Sequence, residues 1–96
     1  MFDNDAPIQF PIDGTLDLHT FQPSDVKDLV PEYIDACLSK RIYHIRIIHG
    51  KGTGVLREIV HGILEKHPAV LRFRHESGSA GGWGATIVEL RKPDAS

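Results

Sequence analysis

The sequence predicts an α/β (α+β) two-layer sandwich, with six elements in the order βαβαββ and two helices on one face of a four-stranded sheet. Three observations carry that expectation. Two stretches, Pro23 to Arg41 and Val55 to Lys66, place apolar residues at three- and four-residue steps, the spacing of an amphipathic helix. Four others, Thr15 to His19, Tyr43 to Ile48, Val70 to His75 and Ala85 to Arg91, alternate apolar and polar residues as half-buried strands do. Strands covered on both faces would be nearly continuous apolar runs, so this alternation leaves one sheet face open to solvent.

Residues 1–14 contain Pro7, Pro11 and Gly14 and read as an extended arm that docks where Ile8, Phe10 and Ile12 meet apolar surface. The folded domain is expected over 15–92, with a polar tail over 93–96. In the first strand Leu16 and Leu18 point inward and Asp17 and His19 outward, which sets an acid beside an imidazole. The first helix follows, with Ser24 and Asp25 in its opening turn. Pro31 inside it lacks an N–H and crowds the preceding turn, so a kink or two pieces meeting near Val30 is expected. The second strand buries Ile45 and Ile47 and places Arg46 on the face of Asp17 and His19. Leu56, Ile59, Val60, Ile63 and Leu64 form the stripe of the second helix, which His67-Pro68 ends. In the third strand Leu71 and Phe73 are expected inward, Arg72 and Arg74 outward. The loop Glu76 to Gly84 carries Trp83, and the last strand buries Val88 and Leu90.

The stretch His49-Gly50-Lys51-Gly52-Thr53-Gly54 joins the second strand to the second helix. Its three glycines let backbone N–H groups approach a ligand, and the helix start that follows favours an anion. Gly50, Lys51, Gly52, Thr53 and Gly54 therefore read as a phosphate cradle. It is not a nucleotide-binding P-loop, since no Gly-Lys-Ser/Thr stands at the required spacing. In α/β sheets ligands collect beyond the carboxyl ends of parallel strands, which gathers His19, this loop and the Gly78 to Gly84 loop at one edge. Arg46, Arg72 and Arg74 lead up to that edge as a basic track suited to phosphate, and Trp83 offers a ring for stacking on a base or for covering the core.

Composition narrows the field. With 96 residues, 41% hydrophobic and 25% charged, the chain fits one domain. A net charge of −2 argues against a uniformly basic nucleic-acid binder, though an average can hide a patch. The single cysteine, Cys37, lies on the first helix's apolar stripe and reads as core packing. His61, His67 and His75 show no metal-ligand spacing and read as incidental. No membrane span or signal peptide is visible, so the expected compartment is the cytoplasm.

The stretches Leu16-Asp17-Leu18-His19, Ile47 to Gly54 and Gly82-Trp83-Gly84-Ala85-Thr86 resemble, in that order, the motifs of the Smr (small MutS-related) domain, specifically a stand-alone bacterial-type member. The resemblance covers about Leu16 to Arg91. It implies a mixed sheet whose last strand is antiparallel to the others, a fold similar to the C-terminal domain of bacterial translation initiation factor three. It also implies nicking or cleavage of DNA or RNA as a low-specificity endonuclease. The residues carried over are Asp17 and His19 from the first motif and His49, Gly50, Lys51 and Gly52 from the second. His19 would be general base or acid, Asp17 its orienting partner, and His49 a second acid or base, with Lys51 and the loop amides on the phosphate. One departure stands out: Thr20 occupies the place where the family usually has glycine, and a positive φ there would be strained. No cofactor is required by this reading, although one divalent metal, Mg or Mn, remains open. The partner implied is nucleic acid; protein partners are not indicated. The alternatives are a module that binds DNA or RNA through the same cradle without cutting it, and a binder of a small phosphorylated ligand.

Overall fold

The computed structural model describes residues 11–50, 54–76 and 84–93. Its elements are β1 (Thr15–Asp17), α1 (Pro23–Ser39), β2 (His44–Ile48), α2 (Val55–Lys66), β3 (Val70–His75) and β4 (Ala85–Leu90). The sheet order is β1-β2-β4-β3, with β1 parallel to β2 and β4 antiparallel to both its neighbours. The last strand is thus threaded between the second and third against their direction, and the sheet is mixed as expected.

Strand alternation decides which face the helices cover. Leu16, Leu18, Ile45, Ile47, Val88 and Leu90 meet Val26, Val30, Tyr33, Ile34 and Cys37 of α1 and Val60 and Leu64 of α2, all 3% exposed or less. Each such aliphatic side chain contributes about 1.5–3 kcal/mol of transfer free energy. Cys37 is a core residue, and burial pushes its thiol up to about 11. The Tyr33 hydroxyl accepts from the Gly14 N–H at 3.0 Å and donates to the Thr15 carbonyl at 3.1 Å, pinning the start of β1 to α1. Ile12, the described part of the arm's apolar set, packs against the core edge; Ile8 and Phe10 lie outside the described residues.

Four local expectations are corrected. Strand β1 stops at Asp17 because the Asp17 carboxylate takes the His19 N–H at 3.0 Å, an Asx turn that ends the ladder. Helix α1 continues through Pro31 as one element in place of the two-piece alternative; the carbonyl that loses its donor belongs to exposed Lys27, where water can replace it. It ends before Arg41, which takes φ 62° while the N–H groups of Arg41 and Ile42 close on the carbonyls of Leu38 and Cys37, a Schellman cap. In β3 the register slips between Val70 and Arg72, so Leu71 is the bulged residue and stands 46% exposed instead of inward.

Candidate functional site

Register brings the three expected segments to one end of the sheet. Asp17 pairs with Ile48, Ile48 with Ala85, and His75 with Thr86. Beyond Asp17 the chain closes a β-turn, Phe21 N–H to Leu18 O at 2.9 Å, that carries His19 and Thr20 at its tip. Among the described residues only Arg41 has a positive φ outside glycine, so Thr20 fits this turn without strain. The His19 ring folds back, placing Nδ1 2.7 Å from Asp17 Oδ1. Partial burial opposes the charged form of Asp17, but the His19 N–H, its ring and the ring's charge together hold the carboxyl below its ordinary 3.8. The pair borders a groove of about 360 Å³ lined also by Pro11, Asp13, Thr15 and Phe21.

The glycine loop is rooted in a backbone crossing. The Gly84 carbonyl accepts the N–H groups of both His49, at 2.8 Å, and Gly50, at 2.9 Å. A Cβ on Gly84 would stand 2.9 Å from the Gly50 Cα, so the approach requires glycine there. The Gly50 N–H expected to face phosphate is therefore spent inside the fold. Lys51, Gly52, Thr53 and Trp83 lie outside the described residues. Gly54, at φ 90°, caps α2 with no side-chain cap bond. The Arg57 guanidinium folds over it, with Nη2 3.4 Å from where a Gly54 Cβ would be, a cation the sequence reading passed over.

His49 turns inward, away from the face of Asp17. It is 6% exposed, with Nε2 2.9 Å from Thr86 Oγ1 and Nδ1 3.2 Å from the Gly50 carbonyl. His61 Nε2 reaches the same Thr86 oxygen at 2.8 Å, and His75 stacks on His49 with ring centroids 6.1 Å apart. His61 and His75, read as incidental, therefore join His49 in one cluster. Burial lowers the pKa of both His49 and His61. Among the described residues no three His, Cys, Asp or Glu side chains converge as on a metal ion.

On the open face the arginines are unequal. Arg46 gives its Nε–H to Glu76 at 2.7 Å. Arg72 is bound to Glu89, whose other oxygen lies 3.4 Å from His44 Nε2. Arg72 also sits at the far end of the sheet, about 13 Å along the strands from the row of Asp17. Arg74 has no carboxylate partner among the described residues. A smaller cavity of about 150 Å³ lies between His44, Arg72, Arg74, Ile87 and Glu89.

Fold and site together define a class: a small mixed-sheet α/β domain with an acid–imidazole pair and a glycine loop at the carboxyl edge of an open-faced sheet. Within that class this chain belongs to the Smr domain family, whose profile matches residues 16–91. It is 39% identical over 80 residues to the endonuclease MutS2 of Caldicellulosiruptor saccharolyticus, covering 83% of this chain and 10% of that protein. With the endonuclease MutS2 of Staphylococcus saprophyticus it shares 36% over 76 residues, 79% of this chain and 10% of the relative. The chain thus spans about a tenth of the length of these curated relatives. The crystal structure of the Smr domain of Thermus thermophilus MutS2 superposes with a TM-score of 0.76 at 28% identity, over 82% of this chain and 99% of that one. YdaL, a stand-alone small MutS-related protein from Escherichia coli, gives 0.77 at 27% identity, over 88% and 69% respectively. No helix among the described residues is long and apolar enough to cross a membrane.

Proposed function

We propose that this Smr domain binds nucleic acid and cuts its phosphodiester backbone with low sequence specificity. The single observation that carries the reading is the 2.7 Å contact of His19 Nδ1 with Asp17 Oδ1. A carboxylate oxygen can only accept, so Nδ1 bears the proton and the Nε2 lone pair is presented outward on a ring whose side chain is 67% exposed. His19 is then a base with a fixed tautomer, able to take the proton of an attacking water or a ribose 2′-hydroxyl and return one to the leaving oxygen. Asp17 orients the ring and stabilises the imidazolium formed on the way. Arg74, Lys51 and the first turn of α2 would meet the phosphates. The relatives named endonucleases support nucleic acid as the substrate class.

A second reading follows from His49. Its buried ring, bound to Thr86, is not presented as a second acid or base, which favours a module that binds nucleic acid without cutting it. Labelled RNA and supercoiled DNA, each incubated with the protein with and without chelator, separate the two. Cleavage is expected, falling about 100-fold or more in His19→Ala and about tenfold in Asp17→Asn. Cleavage undiminished in both variants would remove the pair from the chemistry, while binding without cleavage by the unaltered protein would select the second reading.

A further inference from the structure

The groove beside Asp17 and His19 differs in charge from the rest of the open face. Among the described residues it is lined by two carboxylates, Asp13 and Asp17, and by no lysine or arginine. A phosphate inside it would meet like charge, so the groove suits an uncharged part of a nucleotide. Pro11 and Phe21 add apolar surface, and a volume of about 360 Å³ gives room for one flat base. Each carboxylate is half occupied. Asp13 Oδ1 accepts the Thr15 N–H at 3.0 Å, and Asp17 Oδ1 accepts the His19 N–H at 3.0 Å and the His19 ring at 2.7 Å. The other oxygen of each has no hydrogen-bond partner among the described residues. Asp17 belongs to the acid–imidazole pair, which leaves Asp13 to read a base.

An ionised carboxylate only accepts, so it selects a base by the donors on its edge; each oxygen has two lone pairs, and Oδ1 can serve Thr15 and a ligand together. Guanine alone places two donors side by side on its Watson–Crick edge, the ring N1–H and the N2 amino group. Adenine and cytosine set an amino group beside an accepting ring nitrogen, and uracil and thymine flank their one N–H with carbonyls, so in each the carboxylate faces an acceptor that repels it. Thr15 shares a strand face with Asp17, about 7 Å along β1, and Asp13 is tied to Thr15, which sets a base at Asp13 about one nucleotide from His19. We propose that Asp13 is the specificity residue of this site, holding an unpaired guanine in the groove so that the strand is cut beside that base. The position of the cut rests on the nuclease reading; recognition of guanine does not.

The test uses labelled single-stranded oligoadenylates carrying one guanine, hypoxanthine or cytosine, in ribo and deoxyribo series, with cut positions read by electrophoresis. The series that is cut identifies the sugar. Cutting beside guanine is expected about tenfold or more faster than beside adenine. Hypoxanthine, which keeps N1–H but lacks the N2 amino group, should lose about tenfold against guanine, the loss of one hydrogen bond to a charged group. Asp13→Asn keeps an acceptor for the Thr15 N–H and turns the other oxygen into a donor, so the ratio of cutting at guanine to cutting at adenine should fall about tenfold. General damage to the fold would lower both rates and leave the ratio. If that variant does not fold, the Thr15 amide resonance of the unaltered protein must move more with guanosine than with adenosine. Equal cutting at every base, or a guanine preference that survives Asp13→Asn, would overturn the proposal while the nuclease reading stands. If nothing is cut, the nuclease reading falls and fluorescence anisotropy with the same strands decides. Binding about tenfold tighter for guanine than for hypoxanthine upholds the guanine site, and equal binding overturns it.

Discussion

His49 keeps a neutral ring because burial removes the water that would solvate an imidazolium; the Gly50 carbonyl opposes this, and His61, His75 and Arg57 each add a smaller disfavouring of the charged form. His61 is lowered first by burial, then by Arg57 and His75, with Glu65 opposing. Both rings titrate at the ordinary 6.5 once unfolded. Below that value the unfolded chain binds more protons than the native one, so stability is lost as pH falls from 6.5 toward the depressed folded values. The melting temperature should therefore hold above about pH 7 and decline between about pH 6.5 and 5, before most carboxylates titrate. His61→Leu should shallow the decline, and a flat curve down to about pH 5 would contradict the assignment. The sequence did contain a signal for this cluster. His49 lies two residues beyond the inward Ile47, Thr86 two before Val88 and His75 two after Phe73, so the strand period of two, carried one residue past the end of β2, puts all three on the helix-facing side. What it could not supply was their convergence, which depends on β4 lying between β2 and β3.

At the scale of elements, periodicity was sufficient for the existence of all six and for the inward face of all but the start of β3, because each has to hide one apolar side. Their ends depended on single hydrogen bonds that periodicity does not register. The Asp17 carboxylate cuts β1 short, a one-residue bulge exposes Leu71, and Pro31 is absorbed into α1. Arg41 is the clearest case. A left-handed C′ position usually belongs to glycine, yet an arginine holds φ 62° there. A side chain in that conformation costs about 1–2 kcal/mol. Arg41→Gly should stabilise the domain by about 1 kcal/mol in chemical denaturation, less whatever the arginine's charge gains at the helix C-terminus. A neutral or destabilising result would mean that the guanidinium compensates its own backbone.

Across the whole molecule the open face carries less free positive charge than its arginine count suggests, since Glu76 holds Arg46 and Glu89 holds Arg72. Salt dependence can count the cations that reach phosphate. In fluorescence anisotropy with a labelled oligonucleotide, Arg74→Ala should lower the slope of log affinity against log salt by about one unit. Arg72→Ala should hardly change it, whereas Glu89→Gln, by releasing Arg72, should steepen it by about one. Identical slopes for all three proteins would move the binding surface off this face. These neutralising pairs join residues as far apart as Arg46 and Glu76, which is why the sequence reads three free arginines where, among the described residues, only Arg74 lacks a carboxylate partner.

The place of β4 also has a meaning in time. The strand is the last of the described elements yet interior in the sheet, between strands made before it. While the polypeptide emerges from the ribosome, β2 and β3 wait without a shared neighbour, and the Gly84 carbonyl and Thr86 hydroxyl that tie down the glycine loop do not yet exist. A nascent chain ending before residue 84 has its Asp17 and His19 but no finished loop. The carboxyl edge of the sheet, with the backbone crossing at Gly84, is therefore completed only once β4 has been made.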